Sequence, residues 1–155
     1  MPKFEVISDP REREVEVQRI HRGVRDFNAG VVGEDDFSPL HVLARDDAGV
    51  VIGGLVAATY WEWLHIDSLW VEDQHRRLGY ATRILQMAES EAARRGCQNA
   101  FLDTFSFQAR PLYEKLGYRA AGTIRGFPPG YERHFMVKAL DTQSAAQPAV
   151  EPDVE

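Results

Sequence analysis

The stretch Leu69–Leu85 reads LWVEDQHRRLGYATRIL and carries the clearest structural signal in the chain. It takes in the end of a strand predicted over Leu64–Val71 and the start of an amphipathic helix predicted over Gly79–Arg95. The polar loop between them holds three basic residues: His75, Arg76 and Arg77. Small residues such as Gly79 and Ala81 let a backbone approach a ligand, and the free N–H groups of a first helical turn attract anions. The pattern predicts an anion site, with an ordinary solvated turn as the alternative.

Outward from this stretch, hydrophobic periodicity and turn residues predict the order β-α-β-β-β-α-β-α-β-β. The predicted strands are Phe4–Ile7, His41–Arg45, Val50–Tyr60, Leu64–Val71, Asn99–Thr104, Tyr118–Ile124 and His134–Leu140. The predicted helices run from Asp9-Pro10 to Asn28-Ala29-Gly30, over Gly79–Arg95 and over Gln108–Leu116. This order predicts an α/β fold in which one mixed sheet carries helices on its faces, with parallel strands joined through the middle helix.

Length and composition set the class of protein. With 155 residues, the chain is predicted to form one domain over residues 1–140, followed by a disordered tail over 141–155 that has no large apolar residue except two valines. A content of 44% hydrophobic and 27% charged residues excludes a wholly disordered chain and a membrane protein. The net charge of −6 argues against a nucleic-acid partner. Without an apolar leader segment, a cytoplasmic location is expected. The single cysteine, Cys97, excludes an intrachain disulfide and is predicted to be a packing residue.

Two short motifs resemble landmarks of the GNAT acetyltransferase superfamily. Arg76-Arg77-Leu78-Gly79-Tyr80-Ala81 is similar to its motif A, Gln/Arg-x-x-Gly-x-Gly/Ala. The segment 111–118, PLYEKLGY, resembles its Tyr-x-Lys-x-Gly-aromatic helix end. These landmarks span Leu64–Tyr118, and the order of elements from Phe4 to Leu140 is similar to the family plan. The resemblance implies a single GNAT-like domain over residues 1–140 that uses acetyl-CoA as a co-substrate and needs no metal.

The resemblance also implies which residues contact acetyl-CoA. The pyrophosphate would rest on the backbone of the loop and helix start formed by Arg76, Arg77, Leu78, Gly79, Tyr80, Ala81 and Thr82. The pantetheine arm would lie along Leu64–Val71 where this strand splays from Asn99–Thr104, leaving backbone groups of Leu69 and Val71 free. Ser106 stands where many members have an asparagine that contacts CoA, and its shorter side chain has less reach.

Acyl transfer to an amine requires a group that takes the amine's proton. In a regular strand, residues 65, 67, 69 and 71 point to one face, so His65 and Asp67 are predicted to share the face of Leu69 and Val71. In several members of the family a base sits at one of these two positions, and Glu62 in the preceding turn is a third candidate. The alternatives are a half-buried sheet histidine and a structural aspartate.

The departing thiolate needs a proton as well, and Tyr113 matches the tyrosine that many family members use as this acid. A phenol can supply the proton because its usual pKa, near ~10, lies close to that of a thiol, near ~8.5. Tyr113 also lies on the apolar stripe of its helix, so a purely structural core role is the alternative.

The acceptor is the least determined part of the prediction. In the family, the regions that match Val24–Pro39 and Arg125–Arg133 form the acceptor site. Here they contain acids and aromatics, which suit a cationic amine with an apolar body, although a solvated loop and a rigid turn explain them equally well. The predicted function is N-acetylation of a small-molecule amine by direct attack in a ternary complex. A protein or peptide acetyltransferase and a non-catalytic acyl-CoA-binding module are the alternatives. No nucleic-acid or membrane partner is expected, and the chain does not decide whether it forms a homodimer.

Overall fold

The structure, a computed structural model, describes residues 1–142, so nearly all of the predicted tail over 141–155 lies outside the described residues. The chain divides into two compact units, Met1–Asp35 and a larger unit that begins at Asp36.

The first unit is built around one helix. The Asp9 side chain accepts a hydrogen bond from the Arg11 N–H at 3.0 Å and starts a 3₁₀ turn, Pro10–Arg13. Helix α1, Glu14–Val32, follows directly and ends at Gly33, so the predicted end at Asn28-Ala29-Gly30 falls short. The strand predicted over Phe4–Ile7 is wrong, because residues 1–7 form no strand. Four alternating residues make a strand only where a neighbour supplies its hydrogen bonds.

The larger unit is one six-stranded mixed sheet with two helices, which confirms the predicted fold class with one strand fewer. Its strands are β1 (Ser38–Arg45), β2 (Val51–Tyr60), β3 (Trp63–Val71), β4 (Asn99–Phe105), β5 (Arg119–Arg125) and β6 (Glu132–Ala139). Its helices are α2 (Tyr80–Arg94) and α3 (Arg110–Lys115), and a 3₁₀ turn, Asp73–His75, precedes α2. The strand order is β1-β2-β3-β4-β6-β5. Every neighbouring pair is antiparallel except β3 and β4, which are parallel as predicted.

The hydrophobic core lies between the sheet and α2. Helix α2 packs on β1, β2 and β3 and buries one apolar face: Ile84, Leu85, Ala88 and Ala92. Leu64, Ile66 and Leu102 meet this face from the two parallel strands. Cys97, predicted to be a packing residue, is buried in the same core.

The parallel pair holds together over only part of its length. Strands β3 and β4 pair from Trp63 with Asn99 to Ile66 with Leu102 and then separate. Beyond that point β4 keeps its pairing with β6 to its end, while β3 keeps its pairing with β2 to Val71. The predicted splay is therefore present, and it opens a gap inside the sheet rather than at its edge.

Strand β3 also contains a β-bulge where the gap begins. Ala57 of β2 pairs with Ile66 and the preceding Val56 pairs with Ser68, so Asp67 is an extra residue in β3. A bulge shifts the alternation of side chains by one residue. Accordingly, Leu64 and Ile66 join the core before the bulge, and Leu69 and Val71 join it after the bulge.

Arg95, just past the end of α2, ties this helix to the first two strands of the unit. Its Nη1 donates to the carbonyl oxygen of Pro39 at 3.1 Å and to the Thr59 hydroxyl at 3.2 Å. Its Nε donates to Glu91 at 2.9 Å. Hydrogen bonds from neighbouring arginines, Arg94 first, lower the pKa of Glu91 to about 2. One guanidinium therefore joins three elements that are distant in sequence.

Replacing Arg95 with methionine should lower the free energy of unfolding by about 1–3 kcal/mol, because acceptors on two strands, one of them the buried Thr59 hydroxyl, lose a charged donor. Urea unfolding followed by circular dichroism measures this change. Arg94→Met is the matched control, since Arg94 is more exposed and bonds Glu91 alone, and it should cost less. Equal losses in the two variants would contradict the bridging role of Arg95.

Candidate active site at the gap between parallel strands

The gap between β3 and β4 opens into a cavity of about 800 Å³. The end of β3, the loop after it, the start of α2, the second half of β4 and α3 all contribute to its wall. Ten of the residues predicted from the sequence to form the site line it: Asp67, Leu69, Val71, Arg76, Arg77, Gly79, Tyr80, Ala81, Thr82 and Tyr113. Residues separated by up to 46 positions in the sequence thus meet around one space.

The loop before α2 has the backbone geometry that an anion site needs. Arg77 and Gly79 both take left-handed backbone conformations, with φ of 63° and 80°. Gly79 is the residue before the helix, and its carbonyl oxygen accepts the Arg83 N–H at 3.1 Å. The N–H groups of the first helical turn, Tyr80 to Thr82, lie N-terminal to this bond and have no carbonyl partner within the helix. They carry the positive end of the helix dipole beside two arginines that line the cavity.

Arg76 fastens this loop to the strand. Its Nε donates to the carbonyl oxygen of Val71 at 2.9 Å, and its Nη1 lies 2.8 Å from a carboxylate oxygen of Asp73. The side chain therefore holds the loop in place, and the backbone and remaining N–H groups of Arg76 are what it can offer to a ligand.

The backbone of Leu69 and Val71 turns toward the gap. The N–H of Glu72, the residue after β3, donates to the carbonyl oxygen of Ile52 on β2 at 2.9 Å. Because backbone groups alternate in direction along a strand, the N–H and C=O groups of Leu69 and Val71 point away from β2. Strand β4 has separated at this depth, so the Val71 N–H faces the cavity rather than a neighbouring strand.

The bulge places the two predicted bases, His65 and Asp67, in different surroundings. Asp67 lines the cavity and accepts a hydrogen bond from the Ser68 hydroxyl at 2.7 Å. The prediction that His65 shares the face of Leu69 and Val71 is wrong, because the extra residue in β3 reverses the alternation between them. The His65 ring stacks on the Phe101 ring, with centroids 4.3 Å apart and an angle of 7° between the planes. The Tyr60 hydroxyl oxygen lies 3.4 Å from Nδ1 of His65.

Tyr113 lies at the cavity wall with its ring mostly enclosed. Burial raises the pKa of its phenol above the usual value of 10.0. Its ring meets that of Tyr118 edge-on, 5.9 Å between centroids. The Tyr118 hydroxyl donates to Glu89 at 2.8 Å, and Lys138 bonds the other oxygen of the same carboxylate at 2.8 Å. These contacts fix the surface against which Tyr113 packs.

Three other predicted residues lie away from the cavity wall. Leu78 is exposed. The Ser106 hydroxyl accepts the N–H of Glu132 at 3.1 Å, and the Ser106 N–H donates to the same residue's carbonyl oxygen at 2.8 Å, so it bridges two strands. Glu62 occupies the tight turn between β2 and β3 with φ of 63°. The contacts of these three residues with a ligand stay predictions.

The structure adds wall residues that the sequence reasoning missed, among them Asp103, Thr104 and Gln108. Asp103 follows Leu102, the last residue of β4 that pairs with β3. In the same way, Asp67 follows Ile66, the last residue of β3 that pairs with β4. An acidic residue within an otherwise apolar predicted strand is the sequence feature that could have indicated Asp103 as a site residue. The Gln108 side chain accepts the Phe105 N–H at 2.9 Å and closes the turn into α3.

Two features of residues 1–142 bear on other classes of protein. None of the helices in that range is both long and apolar enough to cross a membrane. Within the same range, no three side chains of the metal-binding types come together in a group that could hold an ion.

Comparison with known proteins identifies the family to which this fold belongs. The sequence model of the acetyltransferase (GNAT) family matches residues 5–118. The chain therefore belongs to the GNAT acetyltransferase family.

Relatives and solved structures agree with this assignment. The chain is 40% identical over 106 residues to blasticidin-S acetyltransferase of Streptomyces morookaense, covering 66% of this chain and 78% of that protein. It is 36% identical over 123 residues to the acetyltransferase Atu2258 of Agrobacterium fabrum, covering 77% and 86%. The crystal structure of an acetyltransferase from Bacillus cereus superposes with a TM-score of 0.81 at 30% identity, covering 90% of this chain and 98% of that one.

Tyr113 and Tyr118 should resist ionisation in the folded protein. Burial raises the pKa of both phenols, and the Glu89 carboxylate raises that of Tyr118 further. Both would ionise near pH ~10 in the unfolded chain. Their contribution to stability is therefore complete below pH ~10 and is lost as the pH rises from there through the folded pKa values.

Ultraviolet absorbance of tyrosinate, recorded with circular dichroism, tests this expectation. Fewer than all five tyrosines should ionise while the protein remains folded, and the remainder should ionise only on alkaline unfolding. Tyr118→Phe should remove one of the late-titrating groups. Ionisation of all five tyrosines together in the folded state would contradict the assignment.

Proposed function

We propose that this chain transfers the acetyl group of acetyl-CoA to the primary amine of a small molecule, by direct attack in a ternary complex. The observation that supports the proposal is the meeting of the anion-attracting loop, Asp67 and Tyr113 around one cavity. The loop and the start of α2 suit the pyrophosphate, and the gap between β3 and β4 suits the extended pantetheine arm. The thioester would then lie near Val71, beside both candidate catalytic side chains.

In the proposed step, the amine nitrogen attacks the thioester carbonyl carbon, a C–N bond forms, and the C–S bond breaks. Asp67 takes the proton of the amine, directly or through a water molecule. The Val71 N–H stabilises the negative charge that develops on the carbonyl oxygen. Tyr113 gives its proton to the departing sulfur, since a phenol is protonated at neutral pH and burial raises its pKa further. No bond to the enzyme forms, so buried Cys97 takes no part.

The proposal takes Asp67, rather than His65 or Glu62, as the base. Asp67 lines the cavity, whereas the His65 ring is covered by Phe101 on the other side of the bulge. The small-molecule acceptor is supported by the name of the Streptomyces morookaense relative, which acts on blasticidin S. Blasticidin S is accordingly the first acceptor to test.

Calorimetric titration with acetyl-CoA, followed by a thiol-release assay on a panel of amines, tests the proposed function. The panel should contain blasticidin S, several simple primary amines and a lysine-containing peptide. Binding of acetyl-CoA with release of CoA for one or more small amines would support the proposal. Transfer to the peptide alone would favour a protein acetyltransferase, and binding without transfer to any amine would favour a non-catalytic module.

Replacement of Tyr113 by phenylalanine should lower kcat about 10²-fold or more and leave the Kd for acetyl-CoA unchanged, because only the proton for the thiolate is lost. Steady-state kinetics and calorimetry on the same preparation measure the two quantities. An unchanged kcat would remove Tyr113 from the mechanism.

Replacement of Asp67 by asparagine should lower kcat by a similar factor, because the amine loses its proton acceptor while the size of the side chain is kept. His65→Ala is the comparison variant, and it should keep the pH–rate profile of the parent enzyme. A profile altered in His65→Ala and preserved in Asp67→Asn would instead assign the base to His65.

A further inference from the structure

The cavity runs through the sheet, because residues that point to opposite faces of β4 both line it. Thr104 is buried on the side of α2, and the neighbouring Asp103 points to the other side. Tyr113 enters the wall from the side of α2. The face opposite α2 therefore offers a separate opening to the gap, and Asp103 lies in it.

Asp103 is held by an arginine that is itself enclosed by aromatic rings. Arg133 of β6 donates from Nε to the Asp103 carboxylate at 2.7 Å. The carbon at the centre of its guanidinium lies 5.5 Å from the ring centre of Phe105, 5.2 Å from that of Phe127 and 5.4 Å from that of Phe135. Contacts of this kind hold a guanidinium in one place through cation–π attraction. Arg133 therefore acts as a support for Asp103.

Phe105, Phe107, Phe127 and Tyr131 form one connected aromatic cluster that reaches the cavity through Phe107, and we call them the aromatic rim. Phe107 lines the cavity, stacks on Phe105 with centroids 5.3 Å apart, and meets Tyr131 edge-on at 5.0 Å. Phe127 meets Phe105 edge-on at 5.7 Å. The loop that carries Phe127 and Tyr131 is closed by a hydrogen bond from the Gly126 N–H to the Tyr131 carbonyl oxygen at 2.8 Å. Phe107 and Tyr131 nevertheless stay about half exposed, which leaves ring surface for a planar ligand.

Two carboxylates that line the cavity can bind a cationic ligand. Asp67 and Asp103 occupy corresponding places one residue beyond the last pair of β3 and β4, and both line the cavity. Arg133 bonds Asp103; the other arginines of the cavity wall, Arg76 and Arg77, belong to the loop before α2. A carboxylate has two oxygens, so Asp103 can bond Arg133 through one and an ammonium group through the other.

We propose that Asp103, supported by Arg133, and the aromatic rim form the acceptor subsite, and that the acceptor is a primary amine carried on a planar aromatic body. The inference rests on the proposed function, because it names the substrate class for the same cavity. The ammonium group is bound between Asp103 and Asp67, within reach of the thioester, and the aromatic body lies on Phe107. Asp103 binds the substrate, and Arg133 is a positioning residue that acts through Asp103.

Tryptamine is the probe, with butylamine as an amine without a ring and tryptophol as a ring without an amine. The expected kcat/KM for tryptamine is at least tenfold above that for butylamine, since only tryptamine has a ring to bury against the rim. Asp103→Asn should raise the KM for tryptamine about tenfold or more and leave the KM for acetyl-CoA within about twofold. Phe107→Ala should raise the KM for tryptamine by a larger factor than the KM for butylamine.

Arg133→Met should raise the KM for tryptamine in the same direction as Asp103→Asn, and Arg133→Lys should restore part of the loss. Arg119→Met is the matched control, because Arg119 is an exposed arginine on the neighbouring strand β5. Calorimetry of tryptamine and tryptophol with the CoA complex gives a second readout that needs no turnover, and tryptophol should bind at least tenfold more weakly. Circular dichroism of each variant identifies any loss of folding, in which case Arg133→Lys and the calorimetry of the parent protein decide.

Equal kcat/KM values for tryptamine and butylamine, or an unchanged KM in Asp103→Asn, would overturn this inference and leave the proposed function standing. Tight binding of acetyl-CoA without transfer to any amine would overturn the proposed function, and this inference with it. Transfer to butylamine and to the lysine-containing peptide with no preference for tryptamine would assign the opening to an aliphatic acceptor.

Discussion

The separation of two parallel strands inside a sheet is the constraint on which this site depends. A buried peptide group without a partner costs free energy, so a sheet normally keeps its strands paired along their whole length. Here β3 and β4 pair over four residues and then part, which leaves the backbone of Leu69 and Val71 facing a cavity. Arg76 satisfies the Val71 carbonyl oxygen and in doing so fixes the loop that begins α2. The outer pairings, β2 with β3 and β4 with β6, carry the sheet past the gap.

Local patterns in the sequence predicted most of the fold. The periodic run from Gly79 and the alternating runs on either side of it gave elements whose ends differ from the structure by few residues. The strand predicted over Phe4–Ile7 failed because alternation alone supplies no hydrogen-bonding neighbour. The bulge at Asp67 could not be predicted for a related reason. A bulge belongs to the pairing of two strands, and a single sequence shows only one strand at a time.

The same distinction between local pattern and strand pairing separates the site residues that could be predicted from those that could not. The motif residues Arg76 to Ala81 and Tyr113 are recognisable in sequence because each depends on its immediate neighbours. Asp103 and Arg133 are thirty residues apart and meet only because β4 pairs with β6. Tyr118, Glu89 and Lys138 come together in the same way, from a loop, a helix and a strand. Partnerships across strands depend on register, which local periodicity does not fix.

A gap that passes through a sheet affects how ligands enter and leave the site. A cleft on one face would oblige both reactants to share an entrance, and the larger one would block the smaller. Here the loop before α2 and the opening at Asp103 lie on opposite sides of the sheet, so the proposed sites for acetyl-CoA and for the amine have separate entrances. Under the proposed function, neither reactant blocks the other, and the acetylated product can leave while CoA is still bound. The geometry thus permits either order of binding and release.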